Sequence, residues 1–167
     1  MFTKNRNKIF LFADGSCGTG EDIGAWATLL CGSNSERKLL YGVVNPTTIS
    51  RMELIPIIEG LSWLSKHWAK MFNDTSVKIY SDSEFVIKTA SGAFTAHKNL
   101  DLWEAFGRVR KEFKLDFIWY SRNILPYMEI CDATCSTLRR IMKETSNTLF
   151  TDYKQPESVI PFASLPE

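Results

Sequence analysis

Apolar positions along this chain fall into two rhythms, one of strands and one of helices. Ile9-Phe10-Leu11-Phe12-Ala13 is an unbroken apolar run, the pattern of a strand buried on both faces. Asp14 follows at once and Gly15-Ser16 offers a turn, so the carboxylate is expected at the strand's mouth. The glycine-rich stretch from Cys17 to Gly24 reads as a hairpin whose glycines supply positive φ. It lacks both the G-K-[ST] ending of a phosphate loop and the G-x-G-x-x-G spacing of a dinucleotide site. Ala25 to Cys31 forms a second strand, Gly32-Ser33-Asn34-Ser35 turns the chain, and Lys38 to Val44 returns as a third, an antiparallel meander.

Asn45-Pro46-Thr47-Thr48 breaks this pattern and offers helix caps. From Met52 to Trp68 the residues Leu54, Ile57, Ile58, Leu61, Leu64 and Trp68 follow helical spacing. Pro56 lies beyond the first turn, where it removes a backbone donor, and predicts a late start or a kink. Val77 to Asp82 is a fourth strand; a helix separates it from the meander, so it can join the sheet in parallel. A short helix over Ser83 to Ala90 carries Phe85 and Val86 inward, and Ser91-Gly92 ends it. Leu102, Trp103, Phe106, Val109 and Phe113 mark another helix, opened near Asn99. Leu115, Phe117 and Trp119 alternate with Asp116, Ile118 and Tyr120 in a fifth strand. Ser121 to Tyr127 is a loop, and a last helix runs from about Glu129 to Lys143. The order is β-β-β-α-β-α-α-β-α, an α/β fold.

At 167 residues the chain reads as one domain over 1–145, followed by a tail over 146–167. The tail is polar, carries Pro156, Pro161 and Pro166, has no helical or strand period, and is expected to be mobile. Val159-Ile160-Pro161-Phe162 within it offers a docking segment for a protein partner. The net charge of +1 gives no global attraction to nucleic acid, so any such binding needs a local patch. The start of the chain is polar and basic with no long apolar run after it, which implies neither signal peptide nor membrane span and a cytoplasmic protein. Cys17, Cys31, Cys131 and Cys135 form no C-x-x-C pair, and Cys131 and Cys135 share a helical face with Leu138 and Met142, as core residues do.

Four acids change the picture. Asp14 and Asp82 end two strands that can lie side by side; Glu53 opens the first long helix and Asp132 the last. Each has a local explanation: a turn for Asp14, a Ser50–Glu53 capping box, a strand-end cap for Asp82, and a helix N-terminus for Asp132. Their convergence explains all four together. Carboxylates crowded without matching Lys or Arg repel one another and call for a divalent cation, with oxygen ligands favouring magnesium or manganese over zinc. Two such ions about 4 Å apart activate water and stabilise the leaving oxygen of a phosphodiester. A phosphoaspartate site of Asp-x-Asp type is excluded at this strand, because Phe12 stands two residues before Asp14.

Asp14-Gly15-Ser16-Cys17, Thr47-Thr48-Ile49-Ser50-Arg51-Met52-Glu53-Leu54, Ile79-Tyr80-Ser81-Asp82-Ser83, Asn99-Leu100-Asp101-Leu102-Trp103 and Glu129-Ile130-Cys131-Asp132 occur in this order. With them the chain resembles a type I ribonuclease H over about residues 8–145. The resemblance implies a five-stranded mixed sheet with helices on both faces, and a monomer. It further implies magnesium-dependent cutting, with two ions, of the RNA strand of an RNA–DNA hybrid to leave a 3′-hydroxyl, manganese serving as a substitute. Asp14, Glu53, Asp82 and Asp132 take the catalytic, metal-binding positions, and Thr48 and Asn99 the positions that hold a DNA phosphate. Gly15, Ser16, Cys17, Ser50 and Glu84 fall at the remaining substrate-binding positions.

The departures are specific. Ile49 and Ser50 stand where the family usually has two asparagines reading the RNA minor groove, and isoleucine cannot bond a base edge or a 2′-hydroxyl. Glu84 replaces an expected glutamine, and the stretch from Ser121 to Tyr127 holds no counterpart of the family's loop histidine. The connection between Gly92 and Asn99 is too short for the basic handle helix that many members use to grip the hybrid. Two alternatives follow: a nuclease of this fold acting on DNA or structured nucleic acid, or a weakly active nucleic-acid-binding module.

Overall fold

The computed structural model describes residues 8–19, 23–33, 35–68, 76–119, 121 and 125–147. The tail beyond 147, expected to be mobile and to offer a docking segment, lies outside the described residues. Five strands, β1 (Lys8–Cys17), β2 (Gly24–Gly32), β3 (Arg37–Val44), β4 (Ser76–Ser81) and β5 (Lys114–Trp119), form one sheet in the order β3-β2-β1-β4-β5. The meander β1-β2-β3 pairs antiparallel, while β4 joins β1, and β5 joins β4, in parallel. The helices are α1 (Ile49–His67), α2 (Glu84–Ala90), α3 (Leu100–Val109) and α4 (Pro126–Asn147), with a 3-10 turn at Arg110–Glu112. This is the expected mixed sheet, and no helix among the described residues is long and apolar enough to cross a membrane.

Period-two alternation divides the core. Ile9, Leu11 and Ala13 of β1 face one side with Val77, Ile79 and the buried stripes of α1, α2 and α3. Phe12 faces the other side with Ala25, Ala27, Leu29, Cys31 and the Met128, Cys131, Cys135 stripe of α4. Cys131 and Cys135 are therefore core residues, and burial, reinforced by the charge of Asp14, pushes the Cys131 thiol up to about 12.

Several local expectations are corrected. β1 does not stop at Ala13: its pairing with β2 continues through Asp14↔Ala27 and Gly15↔Trp26 to Cys17↔Gly24. A full ladder outweighs the turn preference of Gly15-Ser16. The Ser50–Glu53 capping box does not form, because α1 starts earlier, with Thr48 as its N-cap and Ser50 already inside the first turn. Nor does Pro56 delay the start of α1, which opens at Ile49 and runs with Pro56 inside it to His67. Phe85 is exposed rather than inward, while Val86 and Ile87 take the buried side of α2. Phe113 lies beyond α3, after the 3-10 turn. The last helix begins at Pro126, a residue pre-shaped for the first helical position, and this leaves Asp132 well past the first turn.

Pro56 and Gly15 explain each other. Proline brings no N–H to the Met52 carbonyl, its partner four residues back. That carbonyl lies directly over Gly15, where a Cβ would collide with it and fall 2.7 Å from the Glu53 nitrogen. The strand can approach the helix backbone only because residue 15 has no side chain. Gly24 does the same beside Met52, where a Cβ would come within 2.5 Å of the Met52 and Thr47 side chains. The two glycines seat the opening of α1 on the sheet, and Glu53 with it.

Candidate active site

The parallel register of β1 and β4 sets Leu11 beside Ile79 and Phe12 beside Tyr80. That pairing ends at Phe12↔Tyr80, so Asp14 and Asp82 each lie two residues beyond the last paired position of adjacent strands. Asp14 is 5% exposed, within β1 on the α4 side of the sheet, whereas Asp82 follows the end of β4 in a bend. The Asp82 carbonyl is pinned by the Trp119 indole, whose Nε1 donates to it at 3.0 Å.

Glu53 reaches this edge from the α1 side, its backbone nitrogen against Gly15. Its carboxylate accepts from Ser83 Oγ at 2.7 Å. Ser83 caps α2, taking a bond from Val86 N with the same oxygen, so one hydroxyl joins the capping of α2 to the orientation of Glu53. The structure thus brings Asp14, Glu53 and Asp82 to one end of the central strands β1 and β4.

Asp132 arrives from the opposite layer and is exposed. Its neighbour Cys131 packs on Phe12, donating to the Phe12 carbonyl at 3.5 Å, and one turn on Cys135 donates to the Asp14 carbonyl at 3.6 Å. The Cys135 thiol is pushed up by burial first, then by the negative charges of Asp14, Cys131 and Asp132. One side chain therefore feels both acids.

The substrate positions divide in two. Ser16 and Cys17 lie in β1, half-buried; Ser16 accepts from Arg139 at 2.8 Å, and the Cys17 thiol points to the Thr47 carbonyl at 3.9 Å. Gly15 is buried beneath α1. Thr48 and Ser50 are exposed at the opening of α1, as is Ile49 between them. Glu84 is exposed and pairs with Lys88 at 2.6 Å.

Asn99 has φ 54° and ψ 41°, a left-handed conformation that asparagine tolerates, and caps α3 through its backbone carbonyl. Arg51 binds its Oδ1 at 3.4 Å and grips the Asp101 carboxylate with both guanidinium ends, at 3.0 and 2.6 Å. The hydrogen bond from Arg51 holds the Asp101 carboxyl below its ordinary value. A carboxyl depressed on folding stabilises above its unfolded value near 3.8, and that contribution is lost as pH falls through the folded value. Thermal midpoints measured from pH 7 down to pH ~2 should therefore fall more steeply below pH ~4 in the parent than in Asp101→Asn. The exposed pair should weaken in high salt.

Nothing in the local sequence pattern marks Trp119, Arg51 or Arg139 as supporting residues. Ser83 alone carried a signal, as a helix N-cap directly after Asp82.

Among the described residues, no three His, Cys, Asp or Glu side chains converge closely enough to hold a metal ion as they stand. The donor set is nonetheless composed of carboxylate oxygens on neighbouring backbone segments, the chemistry that hard divalent cations take. On that ground the residues fit such an ion.

The family profile of RNase H matches residues 6–121. A ribonuclease H of Cupriavidus metallidurans is 31% identical over 140 residues, covering 75% of this chain and 91% of that protein. A ribonuclease H of Campylobacter jejuni is 31% identical over 112 residues, covering 66% and 76%. Among solved structures, the N-terminal RNase H domain of a Mycobacterium tuberculosis protein superposes with a TM-score of 0.72 at 15% identity, over 84% of this chain and 99% of that one. LC11-RNase H1, solved in complex with an RNA/DNA hybrid, superposes at 0.70 with 14% identity, over 80% and 99%. The sheet order, the helix layers and these relatives lead to one conclusion: the chain belongs to the ribonuclease H family of endonucleases.

Proposed function

We propose that the protein hydrolyses the RNA strand of RNA–DNA hybrids, leaving a 3′-hydroxyl, with two divalent ions held by Asp14, Glu53, Asp82 and Asp132. The observation that supports this reading is the β1–β4 register, whose last pair, Phe12↔Tyr80, lies two residues before Asp14 and Asp82, while Ser83, directly after Asp82, binds the Glu53 carboxylate. Divalent ions held by these residues would, when bound, supply an activated water and neutralise charge on the scissile phosphate. The protein's part is placement. Asp14 is fixed by its ladder and by Cys135, Asp82 by Trp119, and Glu53 by Ser83 and the glycine seat. Thr48 and Asn99 flank that edge from the openings of α1 and α3, tied through Arg51, where a DNA phosphate would sit. The solved complex of LC11-RNase H1 with an RNA/DNA hybrid supports the same substrate class for this fold.

The test is a panel of labelled substrates, hybrid, duplex RNA, duplex DNA and single strands, each with magnesium and with manganese. Metal-dependent cutting confined to the RNA strand of the hybrid supports the reading; cutting of duplex DNA at equal efficiency overturns it in favour of a DNA nuclease.

One observation favours that second reading. Ile49 is 44% exposed at the opening of α1, an apolar side chain facing solvent where the family's groove-reading residues stand. It offers no hydrogen bond to a 2′-hydroxyl, and Ser50 offers one short hydroxyl. Ile49→Asn with Ser50→Asn is expected to raise the ratio of cleavage efficiencies, hybrid over duplex DNA, by about fivefold per restored bond of roughly 1 kcal/mol. An unchanged ratio would mean that other residues read the 2′-hydroxyl.

A further inference from the structure

The face of α4 that covers the end of β1 is a ladder of three rungs. Cys131 bonds the Phe12 carbonyl, Cys135 the Asp14 carbonyl and Arg139 the Ser16 hydroxyl, at 3.5, 3.6 and 2.8 Å. Four residues along the helix match two along the strand, because four helical residues rise about 6 Å and two strand residues about 6.7 Å. The first two rungs go to backbone and fix the strand. The third ends on a side chain, one pleat beyond Asp14 on the same side of β1.

Arginine has donors and no acceptor. Its N–H therefore occupies a lone pair of Ser16 Oγ, and the Ser16 proton must go elsewhere. Among the described residues no acceptor takes it, and the half-buried hydroxyl lies at the edge that holds the candidate carboxylates. A hydroxyl that accepts from a cation is polarised as a donor, and the acceptors of a nucleic-acid strand at that edge are phosphate and ribose oxygens.

We infer that Arg139 is a positioning residue that fixes Ser16 as an obligate hydrogen-bond donor to a phosphate or ribose oxygen of the substrate strand. This rests on the reading of the site as a hybrid-binding edge. Arg139 itself touches no reacting atom. Its effect passes through Ser16, so the two side chains act as one unit.

The experiment is a double-substitution cycle on the full chain: Ser16→Ala, Arg139→Met, and both together, with Arg139→Lys as the conservative variant. Binding of a fluorescein-labelled RNA–DNA hybrid is read in EDTA, KM and kcat in magnesium, and the thermal midpoint in the absence of nucleic acid. Ser16→Ala and Arg139→Met should each weaken binding and raise KM about 5-fold with kcat within twofold. The double variant should lose no more than either single one, and Arg139→Lys should recover part of the loss. The inference is overturned if the two losses multiply, if Arg139→Met leaves binding unchanged while Ser16→Ala weakens it, or if Arg139→Met lowers kcat and the thermal midpoint without moving KM. Should the parent protein neither bind nor cut the hybrid, the substrate reading falls and this inference with it; a parent that cuts hybrids while the two substitutions act independently removes this inference alone.

Discussion

Asp14→Asn is expected to abolish hybrid cleavage, lowering kcat by about three orders of magnitude or more, while the protein remains folded. The substitution removes one charge and almost no volume from a residue that is 5% exposed and held by the β1–β2 ladder. If Asp14 carries a metal, the loss forfeits several kcal/mol of charge stabilisation in the transition state, at about 1.4 kcal/mol per factor of ten. A second readout needs no substrate. The far-ultraviolet dichroism and thermal midpoint of Asp14→Asn should stay near those of the parent, which separates loss of chemistry from loss of fold. Turnover within tenfold of the parent at saturating magnesium would remove Asp14 from the catalytic set.

Gly15→Ala should be the most damaging single methyl group in the described structure. The added Cβ would collide with the Met52 carbonyl, which is backbone and cannot rotate away. Overpacking of this kind costs about 1–3 kcal/mol, a fall of roughly 3–10 °C in thermal midpoint for a chain of this size. Relief requires α1 to lift from β1, so Glu53 should move and activity fall further than stability alone explains. Gly107 within α3 is the control: a Cβ there meets nothing within 4 Å, and Gly107→Ala should stabilise by up to ~1 kcal/mol. Equal midpoints for the two variants would refute the close-approach account.

These cases show what was legible in the chain. The sheet was, because the unbroken apolar run Ile9–Ala13 demands cover on both faces, and in β5 the partly buried Leu115 and Phe117 alternate with the exposed Asp116. The proximity of Asp14 and Asp82 was legible as well, since both follow apolar strands that a helical crossover makes parallel. Local turn and cap chemistry was less so. Gly15-Ser16 reads as a turn, but Gly15 is needed for its lack of a side chain beneath α1, a requirement set by a residue far along the chain. Ser50 and Glu53 have the spacing of a capping box, yet Ser83 claims the Glu53 carboxylate from another helix. Pro56 reads as a late start or a kink, but α1 opens seven residues before it, and the Met52 carbonyl to which it brings no N–H lies against Gly15 of the strand. In each case a tertiary partner outweighed a local preference, and a short-range pattern holds no record of that partner.

The same β1–β4 pairing that aligns the acids also dates the site within folding. β1, β2 and β3 are joined by short connections and can pair early, but they contribute only Asp14. β4 reaches β1 only after α1 has crossed the sheet, and a non-local parallel contact is among the slower events of a folding chain. A refolding protein should regain most of its far-ultraviolet dichroism before it regains any cutting. On the ribosome, a nascent chain ending before β4 would carry the meander, α1 and two of the four acids, Asp14 and Glu53, inert toward nucleic acid until its synthesis has passed Asp82 and then Asp132.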